Sequence, residues 1–343
     1  MFLARRFAAA TAWLLSAGAF SIVLFSATGA VAQAPAAGCE DAAELAVLPS
    51  PLAPWKGAPL RVIFAAEKPL DGELSLIAPD GTVAAASRER HGGPPYFWLA
   101  EVAAPAAGTW RAQLARERAP AECSMITREI AVRADQPPRP HATEGSLWPL
   151  RNTWNRSTEN LYSAWIEKLF DDPLDAAPSW KALHEVLRDK SRNVLFNYMG
   201  LGEDQMGMVI RPDCADLPYF LRAYFAFKMG LPFGYAKCSR GGGGQGPTCH
   251  AWWNIQKEEP APVPVEQNIA SRSLMGMMPP PVARPVSTAP PKRPAGLAPA
   301  FGHYVGTTVA DGVHSGSART ALNDDNTDYY PVPLSQETLR PGT

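Results

Sequence analysis

The chain has 343 residues, a length typical of about two domains, and 46% of them are hydrophobic, which is enough to build a core. Its formal net charge of −1 argues against a partner that is a nucleic acid or another polyanion. The 35 prolines are clustered along the chain, and such clusters indicate linkers between folded parts.

The first 32 residues have the three parts of a secretory signal peptide. Arg5 and Arg6 form the positive region, an apolar region covers residues 8–25, and the small residues at 30–32 form an A-x-A cleavage site. A membrane anchor is the competing interpretation, but the serines and glycine within the apolar region and the A-x-A ending favour cleavage. We therefore expect a secreted or periplasmic protein without a stable membrane anchor.

Residues 39–134 are predicted to form an Ig-like β-sandwich. Turn signals separate short segments that are rich in strand-forming residues, which is the pattern of such a fold. The predicted strands are 60–65, 73–77, 96–102, 109–115 and 124–132. We expect a spacer or binding module, because no residue in this region indicates chemistry.

A proline-rich linker is predicted at 135–150, followed by an α+β domain over 151–343. Ser157 or Thr158 is predicted to cap its first helix, and Ser179 its second. His184 lies beside the apolar stripe of the second helix, so we interpret it as structural. The glycine-containing stretch 193–210 leads to Cys214, and we hypothesise that it forms one wall of a substrate cleft.

The stretch 211–255 contains a cysteine, a helix, a strand, a glycine-rich loop and a histidine on a second strand. Apolar residues recur at helical spacing up to Met229, and Gly230 is a natural C-terminal stop. Cys214 is therefore predicted at the helix N-terminus, where free N–H groups and the helix dipole favour a thiolate. Strands are predicted at 231–236 and 250–255. Together these features indicate a Cys–His nucleophile pair of Cys214 and His250.

The sequences DCADLPYFLRAYFAFKMGLPFGY and CHAWWNI, in this order, resemble the transglutaminase-like branch of the papain-like cysteine hydrolases. The resemblance implies a papain-like domain in which Cys214 is the nucleophile and His250 the base. It also implies an exported amidase, peptidase or acyltransferase that forms a thioester and acts on a peptide or peptidoglycan-like substrate. In that family an Asp follows the histidine on the next strand, whereas this chain has a proline-rich insertion at 258–300. Asp328 and Asp311 are the candidates for the third residue.

The C-terminal part offers a second interpretation. Residues 301–306 are predicted to form a strand, and the sequence LRPG at 339–342 is similar to the L-x-P-G-D motif that opens the first core strand of NlpC/P60-type peptidoglycan hydrolases. On that resemblance Cys214 remains the nucleophile, its histidine lies beyond residue 343, and the chain is truncated. His303 is a further contender for the base. A non-catalytic binding protein with a papain-like shell is the third alternative.

The five cysteines suggest a pairing scheme if the protein is exported. Cys39 and Cys123 bracket the β-rich region, Cys238 and Cys249 bracket the glycine-rich loop, and pairing within each bracket leaves Cys214 as a free thiol. Zinc binding by Cys238, Cys249 and His250 is a weaker alternative, because C-x10-C-H is not a standard zinc spacing. No motif predicts a metal or another cofactor.

Overall fold

The computed structural model describes residues 45–141, 146–205, 209–239, 242–246, 248–256, 296–313, 333 and 335–342. The predicted signal peptide, Cys39, Asp328 and most of the proline-rich insertion lie outside this set. Over the described residues the chain is a mixed α and β protein with antiparallel sheets and few helices. None of the helices in this part is long and apolar enough to cross a membrane.

Eight strands form two four-stranded antiparallel sheets in the N-terminal region. The orders are β1-β2-β6-β5 in sheet I and β4-β3-β7-β8 in sheet II. The strands are β1 Ala46–Ser50, β2 Leu60–Ala66, β3 Gly72–Ile77, β4 Val83–Ser87, β5 His91–Gly92, β6 Tyr96–Val102, β7 Gly108–Arg116 and β8 Met125–Val132. All five predicted strands are confirmed to within one residue at either end, whereas β1, β4 and β5 lacked a clear run of strand-forming residues and were missed.

The two sheets share one apolar core, and sheet I has a second core on its other face. Val62 and Phe64 of β2 pack with Trp98 and Trp110 between the sheets. The alternate residues of β2, such as Ile63, pack with the helices instead. Because a strand points successive side chains to opposite faces, β2 is apolar at almost every position.

Three helices follow, and two of them start at positions other than those predicted. Helix α1 (Arg156–Leu169) is capped by Asn155, whose side chain accepts the Thr158 N–H while the Thr158 hydroxyl accepts the Asn155 N–H. The predicted caps Ser157 and Thr158 are therefore wrong. Helix α2 (Leu183–Leu187) is short and begins four residues after Ser179. Helix α3 (Asp216–Met229) ends at Gly230 in the left-handed conformation, as predicted.

The chain after α3 forms a hairpin and a last helical segment. Strands β9 (Gly234–Cys238) and β10 (Cys249–Asn254) pair antiparallel. The strand predicted at 301–306 is wrong, because α4 (Leu297–His303) continues as helical turns to Gly312. Phe301, Tyr304 and Val305 are buried, at the i, i+3, i+4 spacing of a helix. Leu297 is also buried, so the predicted insertion ends before residue 300.

The segment before α1 holds the turn that follows α3. Trp148 Nε1 donates to the Leu231 carbonyl at 2.9 Å, and Trp154 Nε1 donates to the Pro232 carbonyl at 2.7 Å. Trp148 is fully buried, so the C-terminal end of the stretch predicted as a linker packs into the core. One continuous apolar cluster extends from the outer face of sheet I through α1 to α3 and α4. This cluster fixes the position of α3, which begins two residues after the candidate nucleophile Cys214.

Candidate functional site

The N-terminus of α3 is closed by a pair of aspartates on either side of Cys214. Asp213 Oδ1 accepts the N–H groups of Ala215 and Asp216 at 2.7 and 2.9 Å. In return Asp216 Oδ2 accepts the Asp213 N–H at 3.2 Å. The Leu217 N–H already donates to the Asp213 carbonyl at 3.1 Å. Although the regular helix begins at Asp216, these bonds close the turn that leads into it in the manner of a capping box, with Asp213 as the cap and Cys214 inside the turn.

Cys214 combines an exposed side chain with an unoccupied backbone donor. It is the free cysteine of the described part of the chain and is exposed. The next three N–H groups, of Ala215, Asp216 and Leu217, are taken by Asp213, while the Cys214 N–H makes no hydrogen bond to any described residue. A thiol and one free N–H at a helix start can bind to the carbon and the oxygen of the same carbonyl group. The predicted location of Cys214 at a helix N-terminus is confirmed.

The surroundings of Cys214 are acidic. Burial raises the pKa of the Asp216 carboxyl above its ordinary value, and the negative charges of Asp213 and Asp311 act in the same direction, against the hydrogen bond from the Asp213 N–H. Asp311, one of the two candidates for the third catalytic residue, is exposed and lies close enough to Asp216 to act on its charge. The carboxylates of Asp213 and Asp216 therefore lie within two residues of Cys214 along the chain.

Contacts connect this end of α3 to the β9–β10 hairpin. Gly312 follows Asp311, and a Cβ at Gly312 would lie 2.5 Å from Cε2 of Tyr235, so the Tyr235 ring packs against the chain at this glycine. Tyr235 in β9 pairs with Trp253 in β10. Tyr235 of the hairpin therefore packs one residue after Asp311, whose charge acts on Asp216 at the start of α3.

His250, the predicted base, belongs to β10, and its backbone lies at an irregularity of the ladder. Cys249 pairs with Cys238 and Ala251 pairs with Lys237, so His250 is an extra residue on its strand, as in a β-bulge. The side chain of His250 lies outside what the structure describes, and so does the whole of Asp328. Bulges often redirect a side chain beside an active site, which is consistent with a functional role for this position.

The predicted disulfide between Cys238 and Cys249 is confirmed, with an S–S distance of 2.00 Å. Because both sulfurs take part in this bond, neither is available as a thiolate, and the alternative in which the two cysteines bind zinc is inconsistent with this structure. The described residues contain no group of three His, Cys, Asp or Glu side chains that could hold a metal ion. Cys123 is also disulfide-bonded, and Cys39, the partner predicted for it, lies outside the described residues.

The stretch 193–205 is anchored by buried charges. Lys228 of α3 is completely buried, and its Nζ contacts Glu203 Oε1 at 2.5 Å and Asp204 Oδ2 at 2.7 Å. Burial alone would raise the pKa of Glu203, but the charge and hydrogen bond of Lys228, together with the Met199 N–H, lower it. Glu203 and Asp204 therefore hold the stretch onto α3. Both carboxylates are buried and therefore do not face solvent, while the hypothesis that this stretch forms one wall of a cleft stays a prediction.

Two other histidines were assigned roles from the sequence, and the structure describes both. His184 is buried, and its Nδ1 accepts the Ile210 N–H at 3.1 Å, which confirms the structural interpretation. His303, the further contender for the base, is exposed at the end of α4.

Sequence reasoning missed two features of the site that the sequence does indicate. The spacing Asp213-x-x-Asp216 before an apolar run is the pattern of a capping box, which identifies Asp213 as the cap. Lys228 falls four residues after Tyr224, on the buried stripe of α3, and a buried lysine requires an acidic partner elsewhere in the chain.

Comparison of this chain with protein-family models, with curated proteins and with solved structures gave no match. The functional argument therefore depends on the residues and geometry described above.

Proposed function

We propose that this protein is an exported cysteine-dependent amidase, peptidase or transglutaminase-like acyltransferase that works through a thioester on Cys214. The observation that carries the proposal is the start of α3, where an exposed free thiol and an N–H with no acceptor among the described residues belong to the same residue. The confirmed disulfide Cys238–Cys249 supports export, because disulfides persist in oxidising compartments.

The chemistry of this proposal is acyl transfer. A base removes the thiol proton, and the Cys214 sulfur forms a bond to the carbonyl carbon of a carboxamide or peptide. The carbonyl oxygen becomes an oxyanion, which accepts the free Cys214 N–H. The C–N bond then breaks, the amine takes the proton from the base, and a thioester remains. Water or a second amine attacks the thioester and returns the thiol.

His250 is the proposed base, and a peptide or peptidoglycan-like molecule the proposed substrate. The support for His250 is indirect: the hairpin packs through Tyr235 at Gly312, and the charge of the preceding residue, Asp311, acts on Asp216 at the start of α3. Asp311 is the proposed partner of the imidazolium, because an exposed carboxylate beside the helix start stabilises a cation there. An imidazolium would in turn offset the negative charge around the thiol.

The rate of Cys214 alkylation by iodoacetamide, measured from pH 5 to pH 9, tests the proposed pair. We expect fast labelling near neutral pH that falls at least tenfold in His250→Ala. His303→Ala is the comparison variant, because it removes an exposed imidazole from α4; it should label at the parent rate if His250 is the base, and slow labelling in His303→Ala alone would assign that role to His303. Equal rates in the parent and in both variants would exclude His250 as the base.

A second candidate is an NlpC/P60-like peptidoglycan endopeptidase whose histidine lies beyond residue 343. The observation that favours it is the packing of the LRPG motif, because a Cβ at Gly342 would lie 2.6 Å from the Tyr162 ring of α1, and Arg340 donates to Asn160 of the same helix. This packing brings the motif to the helix that lies beside α3. If this candidate is correct, Cys214 is alkylated at the same rate in His250→Ala as in the parent, and faster in a chain extended past residue 343.

A non-catalytic binding protein is the remaining alternative, and the acidic surroundings of Cys214 are the observation that favours it. Such a protein would label slowly at neutral pH in the parent, in both histidine variants and in the extended chain. The same alkylation series therefore separates the three candidates.

A further inference from the structure

We propose that the Cys238–Cys249 disulfide is a redox-controlled clamp on the His250 bulge, so that the oxidised hairpin is the competent form of the site. The inference rests on the proposed function for its effect at Cys214, whereas its effect on the hairpin is independent of catalysis. It assigns a regulatory role to a bond that exported proteins commonly use for stability alone.

The first argument is the location of the bond in the ladder. Cys238 and Cys249 are directly opposed partners, and the next partners are Lys237 and Ala251, so the disulfide borders the bulge immediately. A bulge leaves its extra residue without a ladder partner. A covalent bond one residue away fixes the register at the point where the ladder is interrupted.

The second argument is the small size of the hairpin. The hairpin has only two strands, and two-stranded hairpins are marginally stable by themselves. Its base is held by the core, because Phe233, Tyr235 and Ile255 are buried and the Ile255 N–H donates to the Phe233 carbonyl at 3.1 Å. Beyond the disulfide, Ser239 and Thr248 share hydrogen bonds that are exposed to solvent and therefore exchange readily with water.

The third argument is that the chain combines two opposite sulfur states. Cys214 is an exposed free thiol, while Cys238 and Cys249 are oxidised. A dithiol reductant opens the clamp by attack on one sulfur, which forms a mixed disulfide that the second thiol resolves. The hairpin gains two electrons and two protons as two thiols, and the dithiol becomes a disulfide. Strong oxidants instead oxidise the Cys214 thiol. On this proposal the site is competent only while the hairpin disulfide is oxidised and the Cys214 thiol is reduced.

Hydrogen–deuterium exchange of β10, followed before and after dithiothreitol treatment of the full chain, tests the clamp. We expect exchange across Cys249–Asn254 to accelerate about tenfold on reduction, with β7 and β8 unchanged. The double variant Cys238→Ser/Cys249→Ser should show the fast exchange without reductant. The matched control, Cys39→Ser/Cys123→Ser, should keep the slow exchange and its response to dithiothreitol. Unchanged exchange in β10 after reduction would overturn the proposal.

Peptide-resolved alkylation of Cys214 on the same samples connects the clamp to the site. We expect labelling at neutral pH to slow about fivefold in Cys238→Ser/Cys249→Ser, in the same direction as the larger fall expected in His250→Ala. Fast β10 exchange combined with unchanged Cys214 labelling would overturn the regulatory role, provided that His250→Ala slows labelling in the oxidised protein. If His250→Ala has no effect either, the proposed function fails, and β10 exchange alone decides whether the disulfide holds the bulge.

Discussion

At the residue scale, Cys214 depends on two aspartates with opposing effects. Asp213 and Asp216 close the helix N-terminus through reciprocal hydrogen bonds, which stabilises the turn that presents the thiol. Their carboxylates also place negative charge within two residues of that thiol. A cap that used a neutral side chain would keep the first effect and remove the second.

Asp213→Asn separates these two effects. Asn is as good an N-cap as Asp, so the helix start should be retained while one negative charge is lost. We expect alkylation of Cys214 at pH 7 to become roughly threefold faster or more, because a repelling charge next to the thiolate has been removed. The control is Asp213→Ala, which loses the cap and should lower the free energy of unfolding by about 1 kcal/mol. Slower labelling in Asp213→Asn would show that the carboxylate itself assists the thiol.

Asp216 predicts a pH dependence of stability. Its pKa is raised in the folded protein, so its ionised form is less favourable in the folded state than in the unfolded chain. This destabilisation is complete above the raised pKa and absent below the ordinary value of 3.8. Asp216→Asn, which keeps an acceptor for the Asp213 N–H, should therefore be more stable than the parent at pH 7.

Urea unfolding of both proteins between pH 3 and pH 7 measures the effect. The two stability curves should converge as the pH falls towards 3. A constant difference between them would mean that packing, not charge, distinguishes the variant from the parent.

At the element scale, α3 and the preceding stretch act as one unit because of a buried polar network. Lys228 binds Glu203 and Asp204, and Asp204 Oδ1 also accepts the Tyr224 hydroxyl at 2.6 Å. Burial and the charge of Asp204 raise the pKa of Tyr224 well above its ordinary value. The Tyr224 hydroxyl therefore keeps its proton and donates it to Asp204 in the hydrogen bond. Asn193 then donates to the Tyr224 oxygen at 2.8 Å. The network joins the chain before Cys214 to the middle of the helix that Cys214 begins.

Lys228→Met should be strongly destabilising. It leaves two buried carboxylates without their cation, and loss of one member of a buried ion pair costs about 3–5 kcal/mol. The variant Lys228→Met/Glu203→Gln/Asp204→Asn, in which no buried charge is left unpaired, should recover a large part of that loss. Urea unfolding at pH 7 measures both. If the triple variant is no more stable than Lys228→Met, the hydrogen-bond geometry of the network matters more than its charge.

At the scale of the whole molecule, the sequence predicted elements with a local signal and missed those decided by distant contacts. The strands around Phe64 and Trp98 were predicted because β-forming residues and turns mark them locally. The helix over Phe301 and Tyr304 was read as a strand, since its short apolar run is ambiguous until its buried face is known. Cys214 and its helix were predicted from periodicity and a stop signal. The proximity of Asp311 to Asp216 could not be predicted, because the two residues are far apart in the sequence and no local pattern links them.

The sheets and the helices are expected to unfold in one transition. Phe97 of sheet I and Trp165 of α1 belong to one apolar cluster, so separation of the two regions would expose it to water. Polar contacts span the same boundary. Ser50 Oγ donates to the Val194 carbonyl at 2.7 Å, and Arg340 donates both to Asn160 in α1 and to Glu67 after β2.

Hydrogen exchange measures this coupling, because the slowest amides of β7 and of α3 should report the same free energy of opening. Arg340→Gln should lower both values together by about 1–3 kcal/mol, since buried partners lose a charged donor. The control is Arg88→Gln, because Arg88 pairs with Glu73 at the surface and should leave both values within about 0.5 kcal/mol of the parent. Opening energies that differ between β7 and α3, or an Arg340→Gln effect confined to one of them, would mean that the sheets and the helices fold as separate units.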